Sequence, residues 1–139
     1  MSGGPAEDAI VAALQRFTGF VNAGDMPAAL ACFTANPSIV EDIAPYHWQG
    51  PGAGAAWLAA MGANAARAGM TGITMTFHAP TLVLTEGDRG YAVLPGDLAY
   101  AFGDGSVRRV RGHGTFAVQR DAADWKIETL TWGWERELA

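Results

Sequence analysis

Two adjacent carboxylates, Glu41 and Asp42, lie where the strand formers Ile39, Val40 and Ile43 give way to a loop. A carboxyl group held between apolar neighbours loses hydration, and its pKa rises toward the range where it can take and return a proton at neutral pH. Adjacent strand residues face opposite ways. This reading turns Asp42 inward as a candidate general base and Glu41 outward to solvent. The alternative for Asp42 is structural, a carboxylate accepting backbone hydrogen bonds from the following loop. That loop carries Tyr46, His47 and Trp48 in succession. They read either as a pocket rim, with Tyr46 or His47 as polar anchor, or as a Trp48 plug beneath the next helix with its two neighbours half exposed. His113 sits between Gly112 and Gly114, whose bare flanks permit a bulge or the close approach of a ligand. An imidazole there could act as an acid beside Asp42. Strand parity with an inward Phe116 would instead turn it to the outer face. His78 reads as a surface residue.

Other chemistries find no pattern. The three histidines are scattered and the lone cysteine, Cys32, offers neither a thiolate cluster nor an internal disulfide, so no metal and no cofactor is expected. There is no Gly-x-Ser-x-Gly elbow and no Gly-x-Gly-x-x-Gly run. A net charge of −5 argues against nucleic acid as partner. The basic run Arg108, Arg109 and Arg111 reads as a solvated face or an interface edge. No apolar run approaches the roughly 20 residues needed to span a bilayer. The opening Met1-Ser2-Gly3-Gly4-Pro5 lacks a charged region followed by an apolar one, so a cytoplasmic protein without membrane contact is the expectation.

The elements that must position these groups can be read in order. With 139 residues, half of them apolar, the chain 1–139 is expected to form one domain with its own core. A first helix should start near Pro5, with Glu7 and Asp8 complementing its positive end and Ile10, Leu14, Phe17 and Val21 forming its apolar stripe. Asn22-Ala23-Gly24 stops it, and Asp25 caps a shorter helix with Leu30 and Phe33 facing inward, ended by Asn36-Pro37. A short strand then finishes around Asp42. Gly50-Pro51 opens a third helix running to about Arg67, with a stripe of Trp57, Leu58, Met61 and Ala65, closed by Gly69.

Beyond Gly69 the period becomes two. Ile73, Met75 and Phe77 alternate with polar residues, Leu82 to Leu84 follow, and a turn at 86–90 leads to a strand that Pro95-Gly96 should interrupt by a bulge or kink. Gly103-Asp104-Gly105 makes a hairpin to a strand ending near Arg120, and Asp121 to Asp124 turns into a last strand, Trp125 to Glu135. This is an α+β arrangement with helices on one sheet face. In the last strand Leu130, Trp132 and Trp134 would share one face and Trp125 and Ile127 the other. Two apolar faces predict that one covers a pocket and the other meets a second subunit, giving a homodimer through the sheet face.

The order of elements, the helix end Val21-Asn22-Ala23-Gly24-Asp25, the segment Ser38 to Asp42, the Trp48-Gln49-Gly50 entry to the third helix and the closing run from Asp124 to Trp132 together resemble one superfamily. It is the nuclear transport factor two-like group, which includes ketosteroid isomerase and SnoaL-like polyketide cyclases, and the resemblance spans essentially the whole chain. It implies a curved antiparallel sheet wrapped around three N-terminal helices, cone-shaped, with a hydrophobic pocket for a small hydrophobic ligand. Asp42 takes the position of the isomerase's proton-shuttling aspartate and Trp134 that of a cavity aromatic. Phe17 stands where the isomerase has its tyrosine donor and Phe116 where it has a protonated aspartate; neither phenylalanine can donate, and His113 is the nearest substitute. Losing such donors removes several kcal/mol of enolate stabilisation, which argues against true ketosteroid isomerase activity.

The pocket implied by the resemblance is expected to be lined by Phe17, Tyr46, His47, Trp48, Trp57, Met61, Phe116, Leu130, Trp132 and Trp134, with Asp42 at its floor. Proton transfer of isomerase, cyclase or dehydratase type, with Asp42 as base, is one functional expectation. A non-catalytic ligand binder and a dimeric interaction module are the others. Asp97 with Arg109 or Arg111 imitates part of the Asp-Arg-Asp set of epoxide-opening relatives, at a spacing that does not match.

Overall fold

The computed structural model describes residues 4–139; residues 1–3, which belong to the N-terminal stretch read above, lie outside the described residues. Helix α1, Pro5–Ala23, starts on a proline, whose missing N–H is no loss in a first turn, and ends on Gly24 at φ 74°. Its buried stripe is Ile10, Leu14 and Phe17. Helix α2, Met26–Leu30, is a single short piece capped by the Asp25 carboxylate on the Ala28 N–H at 3.3 Å. The expectation that α2 reaches Asn36 fails. Strand β1, Phe33–Val40, already begins at Phe33, and Pro37 is fully buried inside it. A register shift between Phe33 and Ser38 accommodates the residue that cannot donate to the ladder.

Strand β2, His47–Gln49, folds back on β1, and helix α3, Ala53–Ala68, ends at Gly69 with φ 74°. Strands β3 (Met70–Phe77), β4 (Leu82–Glu86), β5 (Arg89–Phe102), β6 (Val107–Asp121) and β7 (Asp124–Leu138) complete the chain. The sheet order is β2-β1-β7-β6-β5-β3, with β4 beside β5. The α+β architecture of a curved sheet closed over three helices is the one expected, with one difference: β1 runs parallel to β7.

Pro95-Gly96 does not interrupt β5, which is paired with β6 from Arg89 through Ala101. The proline falls at the handover between β4, which pairs up to Val93, and β3, which begins to pair at Gly96. Its carbonyl accepts from His78 N–H on that side at 2.8 Å, so its absent N–H faces a gap and no ladder bond is lost. The free edge of β3 is covered by α1. Asn22 Nδ2 donates to Met75 O at 2.8 Å and Met75 N–H donates to Asn22 Oδ1 at 3.0 Å, so one side-chain amide imitates a neighbouring strand.

Two shifts of register separate β6 from β7, between Ala117 and Val118 and between Arg111 and Gly112. The first inserts an extra residue near Glu128 and reverses side-chain parity. Trp125 and Ile127 therefore lie buried on the same inner side as Leu130 and Trp132. The two-faced apolar strand that suggested a subunit interface is in fact one-faced. Among the described residues no helix is long and apolar enough to cross a membrane.

Candidate functional site

Between the helices and the concave sheet face lies a cavity of about 480 Å³. Phe17 and Val21 of α1 and Trp57, Leu58, Met61 and Ala65 of α3 form one wall; Leu98, Val110, Phe116, Leu130 and Trp132 form the other. Phe17 stacks on Trp57 with centroids 6.2 Å apart, and Phe77 meets Phe116 edge to face at 5.6 Å. The glycines around His113 serve these aromatics rather than the histidine. A Cβ at Gly114 would stand 2.7 Å from the Phe77 ring, and one at Gly112 would collide with Trp132.

The carboxyl pair is oriented opposite to expectation. Pro37, Ile39 and Glu41 share the buried side of the strand and its continuation, and Glu41 is 9% exposed, whereas Asp42 is exposed at the cavity mouth. The pattern was already in the sequence: once Ile39 is taken as core, parity carries Glu41 inward. Burial pushes the Glu41 carboxyl up to about 8; the neighbouring Asp42 charge adds to the rise, and the Trp57 indole works against it. The Trp57 N–H faces that carboxyl without closing a hydrogen bond of standard geometry, and the Trp132 N–H is also buried without a partner among the described residues.

Of the expected pocket residues, Phe17, Trp57, Met61, Phe116, Leu130, Trp132 and Trp134 line the cavity. Trp134 does so from its rim, 53% exposed. The others do not. Tyr46 is exposed and held at φ 75° by the tight turn after Ile43. His47 is exposed and shares a hydrogen bond with Ser38 Oγ at 3.2 Å, and Trp48 packs partly buried against the core outside the cavity lining. His113 points outward, 3.7 Å from Glu135, because it alternates with the inward Gly112 and Gly114. It shares no space with the carboxyl pair.

Asp97 is bound by Arg111 and by His78 Nε2 at 2.9 Å, again on the outer face, and the Arg111 guanidinium holds its carboxyl below the usual range. Among the described residues no three of His, Cys, Asp and Glu come together as a metal site.

Among the polar lining residues that the sequence reading did not assign to the pocket are a phenol and a guanidinium. Tyr100 shares the inner strand face with the buried Leu98 and reaches the cavity; burial first, then the charges of Asp42 and Glu41, push its phenol up to about 12. Arg108, paired across the strands with Tyr100, lines the mouth and grips Glu137 with two hydrogen bonds of 3.1 and 2.8 Å. The period-two pattern placing Leu98, Tyr100 and Phe102 on one strand face was the available signal for Tyr100.

No family model matches the chain, and no curated protein matches its sequence. The helices, the curved sheet and the cavity between them define the nuclear transport factor two-like cone fold. Solved structures of that fold superpose over nearly the full length. A candidate aromatic ring hydroxylase from Novosphingobium aromaticivorans has a TM-score of 0.78 at 18% identity, covering 100% of this chain and 95% of its own. A candidate scytalone dehydratase from the same species has a TM-score of 0.78 at 9% identity, covering 94% and 85%. A ketosteroid isomerase-like protein from Erwinia carotovora gives 0.69 at 14%, covering 95% and 98%. At these identities the likeness is one of fold.

Proposed function

We propose that the protein binds a small hydrophobic molecule bearing a carbonyl group and moves a proton on it, with Glu41 rather than Asp42 as the proton carrier. The observation that carries this reading is a buried carboxyl, Glu41, opening on an aromatic-lined cavity, where burial pushes its pKa up to about 8. A group so placed is divided between acid and base forms near neutrality, which suits isomerase, cyclase or dehydratase chemistry. Asp42 sits at the mouth and raises the Glu41 pKa by its charge. A cavity of about 480 Å³ also speaks against a module plugged by its own side chains, since ligand sites begin near about 300 Å³.

The test is deuterium uptake from solvent at the carbon beside the carbonyl of cyclic ketones, followed by proton NMR. Uptake should rise with pH to a midpoint near 8, fall about 100-fold in Glu41→Gln, and keep most of its rate in Asp42→Asn with the midpoint moved lower. Uptake that survives Glu41→Gln but not Asp42→Asn would return the role to Asp42. Binding without any uptake would leave a ligand carrier.

The homodimer is proposed on different residues from those first expected. The outer face of β4 and β5 exposes Leu82, Leu84 and Tyr91, with Leu84 directly opposite Tyr91. Sedimentation showing only monomer at micromolar concentration would remove it.

A further inference from the structure

Phe17 and Phe116 flank the cavity and neither can hold a negative oxygen. Tyr100 can. It projects from β5 opposite Ile73 on one side and Arg108 on the other, lines the same cavity as Glu41, and senses the charges of both Glu41 and Asp42. Among the described residues, no hydrogen bond to its hydroxyl contributes to its ionisation behaviour. A half-buried phenol left without a partner beside a ligand cavity has donor capacity to spare.

We propose that Tyr100 is a further catalytic residue, the donor that takes the ligand's carbonyl oxygen while Glu41 handles the proton. The inference rests on the proton-transfer reading of Glu41 given above. In the step, the C–H bond beside the carbonyl breaks and its proton goes to the Glu41 carboxylate. The electron pair forms the new C=C bond, and the former C=O pair comes to rest on the oxygen, against the Tyr100 hydroxyl. The proton then returns from Glu41 to carbon. Negative charge leaves the carboxylate as it arrives at the oxygen, so the site's total charge is constant throughout. The surrounding carboxylates and burial keep the phenol in its neutral, donating form across the working pH range. Such a donor acts more strongly on the transition state and the enolate than on the bound ketone, because the oxygen's charge grows as the C–H bond breaks.

The ligand class follows. It should be a neutral, largely apolar ketone or enone, with the oxygen directed at β5 and the acidic C–H at the end of β1. Carboxylate-bearing ligands would meet Glu41 and Asp42 while Arg108 is engaged with Glu137.

Two readouts on Tyr100→Phe, which deletes one oxygen, test the role separately from that of Glu41. With cyclohexenone as probe, kcat for deuterium uptake should fall about 100-fold while KM changes less than about threefold. A kcat within about twofold of the parent overturns the proposal. Independently of turnover, the infrared C=O stretch of bound cyclohexenone should be shifted to lower frequency in the parent and in Glu41→Gln, and should lose that shift in Tyr100→Phe. Equal stretches in all three proteins, or no binding at millimolar concentration, overturn it. A shift that depends on Tyr100 in a protein showing no uptake would sink the proton-transfer reading while leaving Tyr100 as the ligand's donor.

Discussion

Glu41 is a carboxyl taken almost wholly out of water. Its carboxyl titrates near 8 in the fold and near 4.5 when the chain is open, so between those values the folded state holds a proton that the unfolded state has lost. Stability from this group is therefore complete below pH 4.5, declines as pH rises, and is exhausted above about 8. Glu41→Gln should be more stable than the parent at pH 8, by on the order of 3 kcal/mol, and equal to it at pH 4. Urea unfolding of both proteins at the two pH values measures this, and parallel curves would refute it. The sequence reading placed both carboxylates at this corner but turned Asp42 inward and Glu41 outward, whereas Glu41 is the buried one. Inward and outward differ by a single residue of parity, and the buried Ile39 is the anchor that sets it. His113 shows the same rule from the other side, since parity with Phe116 correctly turned it out.

At the scale of elements, the helical half was readable because it depends on local chemistry: Pro5 at a first turn, Gly24 and Gly69 in left-handed caps, Asp25 on a backbone N–H. The sheet half depends on partners distant in sequence, and there the reading slipped. The bulge near Glu128 that brings Trp125 and Ile127 inside leaves no trace in the residue types, because it is set by what β6 and β1 require on either side. The edge of β3 is another such feature. Asn22 looked like a helix stop signal, yet its amide closes the edge at Met75. Asn22→Ala should lower stability by about 1–2 kcal/mol, since it removes two hydrogen bonds from a strand edge. It should also speed hydrogen exchange at the Met75 amide, whereas loss of helix capping alone would accelerate amides near Gly24 instead. Urea titration and exchange NMR together separate the two roles.

For the whole molecule the decisive feature is that the core is built incomplete. Three helices cover a sheet with enough aromatic side chains to fill the interior, yet Gly112 and Gly114 draw Trp132, Phe77 and Phe116 back against the strands, so the space in front of them stays open. A cavity of about 480 Å³ forgoes contacts that a filled core would make, so on the proposed ligand-binding reading stability and ligand capacity are set against each other. Ala65 faces this space from the last turn of α3, a position where leucine has good helix propensity and room to extend. Ala65→Leu should raise stability by about 1–2 kcal/mol through added burial, or a Tm gain of about 2–6 °C. The same change should weaken binding of a bicyclic ketone at least about tenfold, because the leucine occupies volume the ligand needs. Calorimetric melting and ligand titration on one preparation decide it. A gain in Tm with unchanged affinity would mean that the ligand sits elsewhere, toward the mouth at Asp42 and Trp134. A loss of Tm would mean that the wall at α3 is already packed.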